Sequence, residues 1–580
     1  MKRIAAVVLG LALAAVSASA ANFTYSETTD TTTQWSAGTS WSATPVSAAD
    51  TVLVFTGSLA AGTNVVSNND ISGNFLLNRI NFTYAGPSSG TAPTVTISGN
   101  PLEFTGTGAT VNYNPSGTAN ASRARLFLNS DLVLSSDLTI LAAANTTLTQ
   151  YINGTISGPG SLTFSWSAGA PNIFVLSNSS NSYSGDTRLL HSSTTGRDYF
   201  LRLGASGVIP NGAGKGNLYF NNTNEANGAV LELAGFSEQI NGLSSNNPAR
   251  NSGTMPFIVR NTSSTPATLT LGDNDASATY YGLIQDGTGG GALSLTKIGS
   301  GTQVFAGSAP TYSGNTTISN GALKIDFTQR ATSNATTAAN YFSPNSNLIL
   351  AGGTTFAIEG RRDGADLDVA GVTLPRGNRT FYLPNAIASQ LVVGQVINIT
   401  KVSGAGTPPA QVFLTAILGS NATHTEVAAS ARVSDNAGDN VSDLDIVGRA
   451  GVTTQTIKSL TLAGDADSIH YLDFGTSGNV TLTINAAPSQ LTDGSKLRIL
   501  NWAGTPLTGG GSDRLLFLGT PSEFEAVFSQ SEVEFDGHPV GYVTIPGTGI
   551  YEVVAIPEPG TIGVLLSGLA LLALRRRFRG

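Results

Sequence analysis

The residues able to carry chemistry are few and scattered. Four histidines, His191, His424, His470 and His538, are separated by long intervals, and none has the His-x-x-x-His or Glu-flanked spacing that places two imidazoles on one zinc ion. Cysteine is absent, which excludes a thiolate nucleophile, a thiolate metal site and a disulfide framework. Two acidic clusters, DNAGDNVSDLD (Asp435 to Asp445) and RRDGADLDVAG (Arg361 to Gly371), offer oxygens to calcium. Asn440, however, stands where a calcium loop opened by Asp435 would need glycine, and Ile446 stands where it would need glutamate. Turn-forming Asp and Asn account for both clusters without metal. GNTTISNG, Gly314 to Gly321, is not a phosphate loop. No catalytic residue, metal ligand or cofactor is therefore assigned. One chemistry survives: two or three carboxylates converging on a groove, as in a β-helix polysaccharide lyase or glycosidase. It predicts acidic residues recurring on one face of a coiled β architecture, whereas corresponding places here hold Thr, Ser and Asn.

Stepping from side chains to the chain, 580 residues carry only 11% charged residues and 67 glycines, with a formal net charge of -8. The surface must be solvated mostly by hydroxyls and amides, and no basic stripe lies outside the two ends, which argues against a nucleic-acid partner. Runs such as TVLVF (Thr51 to Phe55), TVTIS (Thr94 to Ser98), LVLSSDLTIL (Leu132 to Leu141), AVLELAG (Ala229 to Gly235) and VTLTI (Val480 to Ile484) are apolar and β-branched, punctuated by Gly, Asn, Ser and Pro. No long segment has a helical period. The class is all-β.

Repetition narrows the architecture. The stretch Gly289 to Ile325 is echoed by Ile156 to Leu190, each with a Leu-containing strand, then Tyr-Ser-Gly (Tyr183-Ser184-Gly185 and Tyr312-Ser313-Gly314), then Thr187 or Thr316 opening a further strand. A second echo links Leu231 to Ser245 with Thr454 to Gly464. Short strands with glycine corners suit a parallel β-solenoid, whose rungs cover one another's edges. Leu295-Thr296-Lys297, Gly299-Ser300-Gly301-Thr302, Tyr312 to Ile318 and Ala322 to Ile325 resemble the autotransporter-associated β-strand repeat; the copy from Leu162 lacks the Lys and the Gly-x-Gly-Thr. The resemblance implies a passenger-like body. Trp35 and Trp41 lie near an opening strand, and Trp502 in a closing module, Leu497 to Gly519; the reading preferred over sugar stacking is that the tryptophans cap the ends of the core.

The ends carry addresses. Lys2 and Arg3 precede an apolar run, Ile4 to Val16, and the small residues Ala18-Ser19-Ala20, the pattern of a signal peptide cut by signal peptidase between Ala20 and Ala21. At the other end Pro557-Glu558-Pro559 precedes an apolar stretch, Gly560 to Leu574, and a cluster of Arg575, Arg576, Arg577 and Arg579. As a helix, Gly560 to Leu574 would span roughly 22 Å, a short transmembrane helix whose arginines stay on the cytoplasmic side. This tail resembles the PEP-CTERM sorting signal of Gram-negative bacteria, which implies processing by an exosortase after a transient stay in the inner membrane. An ice-binding label is sometimes attached to the same signal. Autotransporters end in a membrane barrel, and this chain instead ends in the sorting signal.

The expected organisation is a signal peptide (1–20), a β-solenoid (21–330, best repeat 289–325), an irregular β region (331–455), a closing β module (456–555) and the sorting signal (557–580). The expected function is that of a non-enzymatic cell-surface or extracellular-matrix protein, structural or adhesive, with exosortase, signal peptidase and exopolysaccharide as partners. A lyase or glycosidase is the alternative. Ice binding is a lesser one, since Thr-x-Thr occurs only in isolated cases such as Thr94-Val95-Thr96, Thr268-Leu269-Thr270 and Thr481-Leu482-Thr483.

Overall fold

The computed structural model describes residues 21–556 apart from loop segments, the longer ones being 116–123, 192–198, 223–227, 247–256, 329–339, 361–366, 371–379, 386–395, 404–411 and 430–439; for most of 367–447 it describes the backbone alone. The architecture is a β-solenoid of about 12 turns with almost no helix. Each turn visits three sides. On the first, Asn22–Tyr25, Val52–Phe55, Arg79–Phe82, Ala109–Tyr113, Leu138–Ala142, Leu162–Trp166, Thr187–His191, Leu218–Asn222 and Leu243–Ser245 form one nine-stranded parallel sheet. The second side is a ten-stranded parallel sheet running from Thr31–Gln34 to Leu283–Asp286. The third begins with four short strands, Phe75–Leu77 to Ile156–Ser157, and continues as a seven-stranded sheet from Glu238–Ile240 to Ser489–Gln490.

Strand alternation explains the coiling. In parallel register the inward positions of the first side form a single column: Leu53, Ile80, Val111, Ile140, Phe164, Leu189 and Phe220. Each of these is buried, so every rung completes its neighbour's core. The run Leu132 to Leu141, expected as one strand, is two. Leu132–Leu134 pairs on the third side and Leu138–Ala142 on the first, because the chain turns the corner at Ser135 and Ser136, whose N–H groups both bond Phe104 O. The inward positions Leu132, Leu134, Leu138 and Ile140 keep one period-two phase on both sides of Ser135-Ser136-Asp137, which is why the sequence hides the corner.

Both ends of the core are closed. At the first turn Trp35, Trp41, Tyr25, Phe55 and Phe75 cluster, with Trp35 and Phe75 ring centroids 5.0 Å apart and Trp35 Nε1 donating to Ser67 Oγ at 2.8 Å. Trp35 and Trp41 are buried, so they cap the core rather than face a ligand. At the far end the pairing changes sense: Arg514–Leu518 and His538–Ile545 flank Ile550–Ala555 in antiparallel order. Between them a short helix, Pro521–Glu525, is entered through a capping box of Thr520 and Glu523.

Residues 367–447 interrupt the solenoid. Asn347–Ala351 and Thr355–Glu359 are ordinary rungs whose next partners are Ser459–Ala463 and Ile469–Asp473. The intervening chain forms a six-stranded antiparallel sheet of its own. It leaves after Thr355–Glu359 and returns into Val452–Ile457, which pairs in parallel with Asn479–Ile484. No helix among the described residues is long and apolar enough to cross a membrane.

Candidate functional site

The corners show what the acidic and repeat residues do. Asp131 accepts the N–H of Thr155, Asp137 that of Ser161, Asp186 that of Asn217 and Asp275 that of Ser300, at 2.6–3.0 Å. Each carboxylate satisfies a backbone donor on the following turn, where the ladder is interrupted. Hydrogen bonds from Ser36 and Ser300 hold Asp70 and Asp275 below the usual carboxylate range. Glu238 accepts from Gly207, Val208 and Ile209 N–H at 2.8–3.2 Å; burial nevertheless pushes it up to about 7 against those three donors. Buried Glu232 pairs with Arg260 at 3.1 Å. These carboxylates are committed to structure, which removes them from the paired acids that a glycosidase needs.

The repeat motif has a parallel explanation. Lys297 Nζ donates to the carbonyls of Ile298, Gly299 and Asn320 at 2.7–3.4 Å, and burial lowers its pKa to about 8. Gly299 adopts φ +67°, a conformation that side chains resist. Tyr312 shares a hydrogen bond with Thr316 at 2.9 Å, as Tyr183 does with Thr187 at 2.6 Å. A Cβ on Gly314 would strike Leu293 O and Ser294 Oγ. Tyr-Ser-Gly-x-Thr is therefore a device for turning a corner, used before the third-side strand Thr316–Ile318 and the first-side strand Thr187–His191 alike.

The surface with a repeating chemistry is the outer face of the seven-stranded third side. Its register aligns Gln239, Thr270, Thr296, Thr317, Ile349, Thr461 and Ser489 in one column. Thr268 and Ser294 share a second column with Asn347 and Ser459, bridged by Asn315: Asn347 Nδ2 donates to Asn315 Oδ1 and Ser459 Oγ to Asn347 Oδ1, both at 2.8 Å. Thr461 and Ser489 share a hydrogen bond of 2.9 Å. The result is a two-column array of hydroxyls and amides repeating at about 4.8 Å along the axis. Sequence inspection found Thr268-Leu269-Thr270 alone, because its continuations are Ser294-x-Thr296, Asn315-x-Thr317 and Ser459-x-Thr461, at irregular intervals. With Asn and Ile interrupting, the array is no uniform Thr-x-Thr lattice.

The remaining candidates do not converge. His191 packs on Tyr199 with centroids 4.3 Å apart. His470 is buried, with Nδ1 3.1 Å from Ala351 O, and His538 opens the strand His538–Ile545. Among the described residues no group of three or more His, Asp or Glu is placed to hold a metal. The backbone does bring the two acidic clusters together: Leu367–Ala370 pairs with Asn440–Val447, setting Asp368 opposite Asp445. Ala21 is the first described residue, and its carbonyl accepts the N–H of Val52. Ala18, Ala20, Pro557, Glu558, Pro559, Arg575, Arg576, Arg577 and Arg579 lie outside the described residues.

Comparison with known proteins agrees with the repeat reading. Residues 295–325 match the Passenger-associated-transport-repeat family. A stretch of 181 residues is 33% identical to the Adhesin BmaC autotransporter of Brucella suis biovar 1 (strain 1330), covering 31% of this chain and 4% of that protein. The chain thus corresponds to a small part of that adhesin's length. No solved structure matches the chain.

Proposed function

We propose that the protein is an exported, non-enzymatic surface or matrix protein whose solenoid adheres to exopolysaccharide through its third side. The observation that carries this reading is the double column of Thr, Ser and Asn from Thr268 to Ser489. A polymer with repeating hydroxyls meets repeating donors and acceptors there, and many weak contacts on one chain add through effective concentration. The commitment of Asp131, Asp137, Asp186 and Asp275 to corners and the likeness to part of an adhesin autotransporter support adhesion over hydrolysis. In the same reading the Pro557-Glu558-Pro559 tail delivers the protein: an exosortase removes it after transient insertion in the inner membrane. Intact mass of the protein recovered from native cells tests delivery, since retention of Arg575 to Gly580 would refute processing.

Adhesion is tested with Thr270→Val, Thr296→Val and Thr461→Val, which remove hydroxyls at nearly constant volume. Each alone should weaken binding of purified matrix polysaccharide about two- to fivefold, and the triple variant more than the product of one pair. Unchanged retention by the triple variant, with an unchanged melting temperature, would sink the proposal.

A further inference from the structure

The outer face of the second side changes character along the axis. In its first three rungs the outward residues are short: Thr32, Val66 and Thr96 form one column, with Asn64 and Thr94 beside it and Gln34, Asn68 and Ser98 on the other flank. These side chains are tied to one another: Thr94 Oγ1 donates to Asn64 Oδ1 at 2.7 Å, Asn68 Nδ2 to Gln34 Oε1 at 2.6 Å, and Ser98 Oγ to Asn68 Oδ1 at 3.1 Å. The fourth rung then places Phe127 next to Thr96 and Arg125 next to Thr94. Phe127 and Tyr151 stack, with centroids 4.6 Å apart and planes 9° apart. That separation is close to the rung spacing, so the ring normals run along the solenoid axis and the other face of Phe127 looks back over Thr96. A polar floor thus ends against an upright aromatic wall, with a guanidinium at its side.

The charge around this step suits an anion. Asp and Glu outnumber Lys and Arg, 37 to 29, yet the outward positions of the second-side strands from Thr94 to Arg202 carry Arg125 and Arg202 and no carboxylate. Glu232, one rung beyond Arg202, is occupied by Arg260 and by the N–H and hydroxyl of Thr262. Asp30 is bound to the N–H of Asn64. Arg125 is half-buried, its Nε buried with no hydrogen-bond partner among the described residues, so a carboxylate arriving from outside has the two terminal nitrogens of the guanidinium to meet.

We infer that the Thr96–Phe127 step with Arg125 is a subsite for an acidic sugar, a uronate residue of an anionic polysaccharide. The C–H face of the pyranose packs on Phe127, its hydroxyls meet Thr94, Thr96 and Asn68, and its carboxylate takes the N–H donors of the two terminal nitrogens of Arg125. The site lies on a different side from the hydroxyl array and does not depend on it.

The test measures binding of polygalacturonate, and of neutral dextran for comparison, to the full exported protein. Arg125→Gln should weaken polygalacturonate about tenfold or more and flatten its salt dependence, leaving dextran unaffected. Thr96→Phe, which continues the stack across the floor at an outward position, should abolish the same binding with the melting temperature preserved. Wild-type affinity in both variants would overturn the inference, as would equal binding of dextran and polygalacturonate by the unaltered protein. Thr296→Val and Thr461→Val on the third side should leave polygalacturonate binding intact; a loss there would assign the uronate to the hydroxyl array and refute the separate subsite.

Discussion

Gln303 offers a sharp test of how the solenoid is stitched. The first side changes sheets between Leu243–Ser245 and Ala278–Tyr280, neighbouring rungs that belong to different hydrogen-bonded sheets. Leu243 turns its N–H and C=O towards this seam, and the side chain of Gln303, from the rung beyond, answers both: Leu243 N–H donates to Oε1 at 3.2 Å, and Nε2 donates to Leu243 O at 2.9 Å and Ala278 O at 3.3 Å. One buried amide thus replaces missing strand pairing. Gln303→Met keeps the volume and removes every polar atom, leaving the Leu243 N–H and C=O unanswered. At about 1–3 kcal/mol for each of these two buried unsatisfied groups, the local cost is roughly 2–6 kcal/mol. Because a solenoid is stabilised turn by turn, a global midpoint would dilute the effect. Hydrogen exchange of peptides spanning 238–245 and 278–286 reads it directly, and protection should fall by about 30-fold or more, while peptides from 52–113 stay unchanged. Unchanged protection at Leu243 would show that the amide is a bystander.

Glu238 gives a pH dependence of definite sign. Its folded pKa of about 7 lies above its unfolded value, so the contribution is fully present below about pH 4.5 and is lost as pH rises through 7, to a limit of ~3 kcal/mol; Glu238→Gln should flatten the change in local exchange around 207–209 between pH 5 and 8, and an unaltered slope would assign it elsewhere. Gly314→Ala forces a methyl against Leu293 O and Ser294 Oγ, and should destabilise the turn containing Thr316–Ile318 by about 1–3 kcal/mol, read as a new early phase in urea unfolding; a wild-type profile would show that the corner yields.

The strands were legible because Val, Ile, Leu and Phe alternate with polar residues at each rung, and the repeat was legible because Tyr312, Gly314 and Thr316 are needed together to turn one corner. Which side a strand occupies was not legible. The motif around Tyr183 serves the first side and that around Tyr312 the third, since a corner fixes a turn angle and leaves the position around the axis open. The hydroxyl array was hidden for the same reason: turns of unequal length scatter Thr296, Thr317 and Thr461 in sequence while the register aligns them. Asp131, Asp137, Asp186 and Asp275 carry no signal in the sequence, because each is bonded to a neighbouring turn, a role that becomes visible only when the following turn is in place. Residues 367–447 carry the same β-rich composition as the rungs, and nothing in local alternation separates antiparallel strands from parallel ones.

The reversal of strand sense at the end of the solenoid has a mechanical meaning. In a parallel stack each strand lies across the axis, so a pull along the axis opens its hydrogen bonds one after another, and each turn let go, 20 to 34 residues by the strand register, would lengthen the chain by roughly 65–110 Å. A tether built this way lengthens under load instead of snapping. Ile550–Ala555 sits between antiparallel neighbours on both sides, so tension applied at residue 556 along that strand loads two ladders in shear, all bonds at once. The last described strand would thus resist such a pull as a latch does, and once it slipped the turns behind it would open in series.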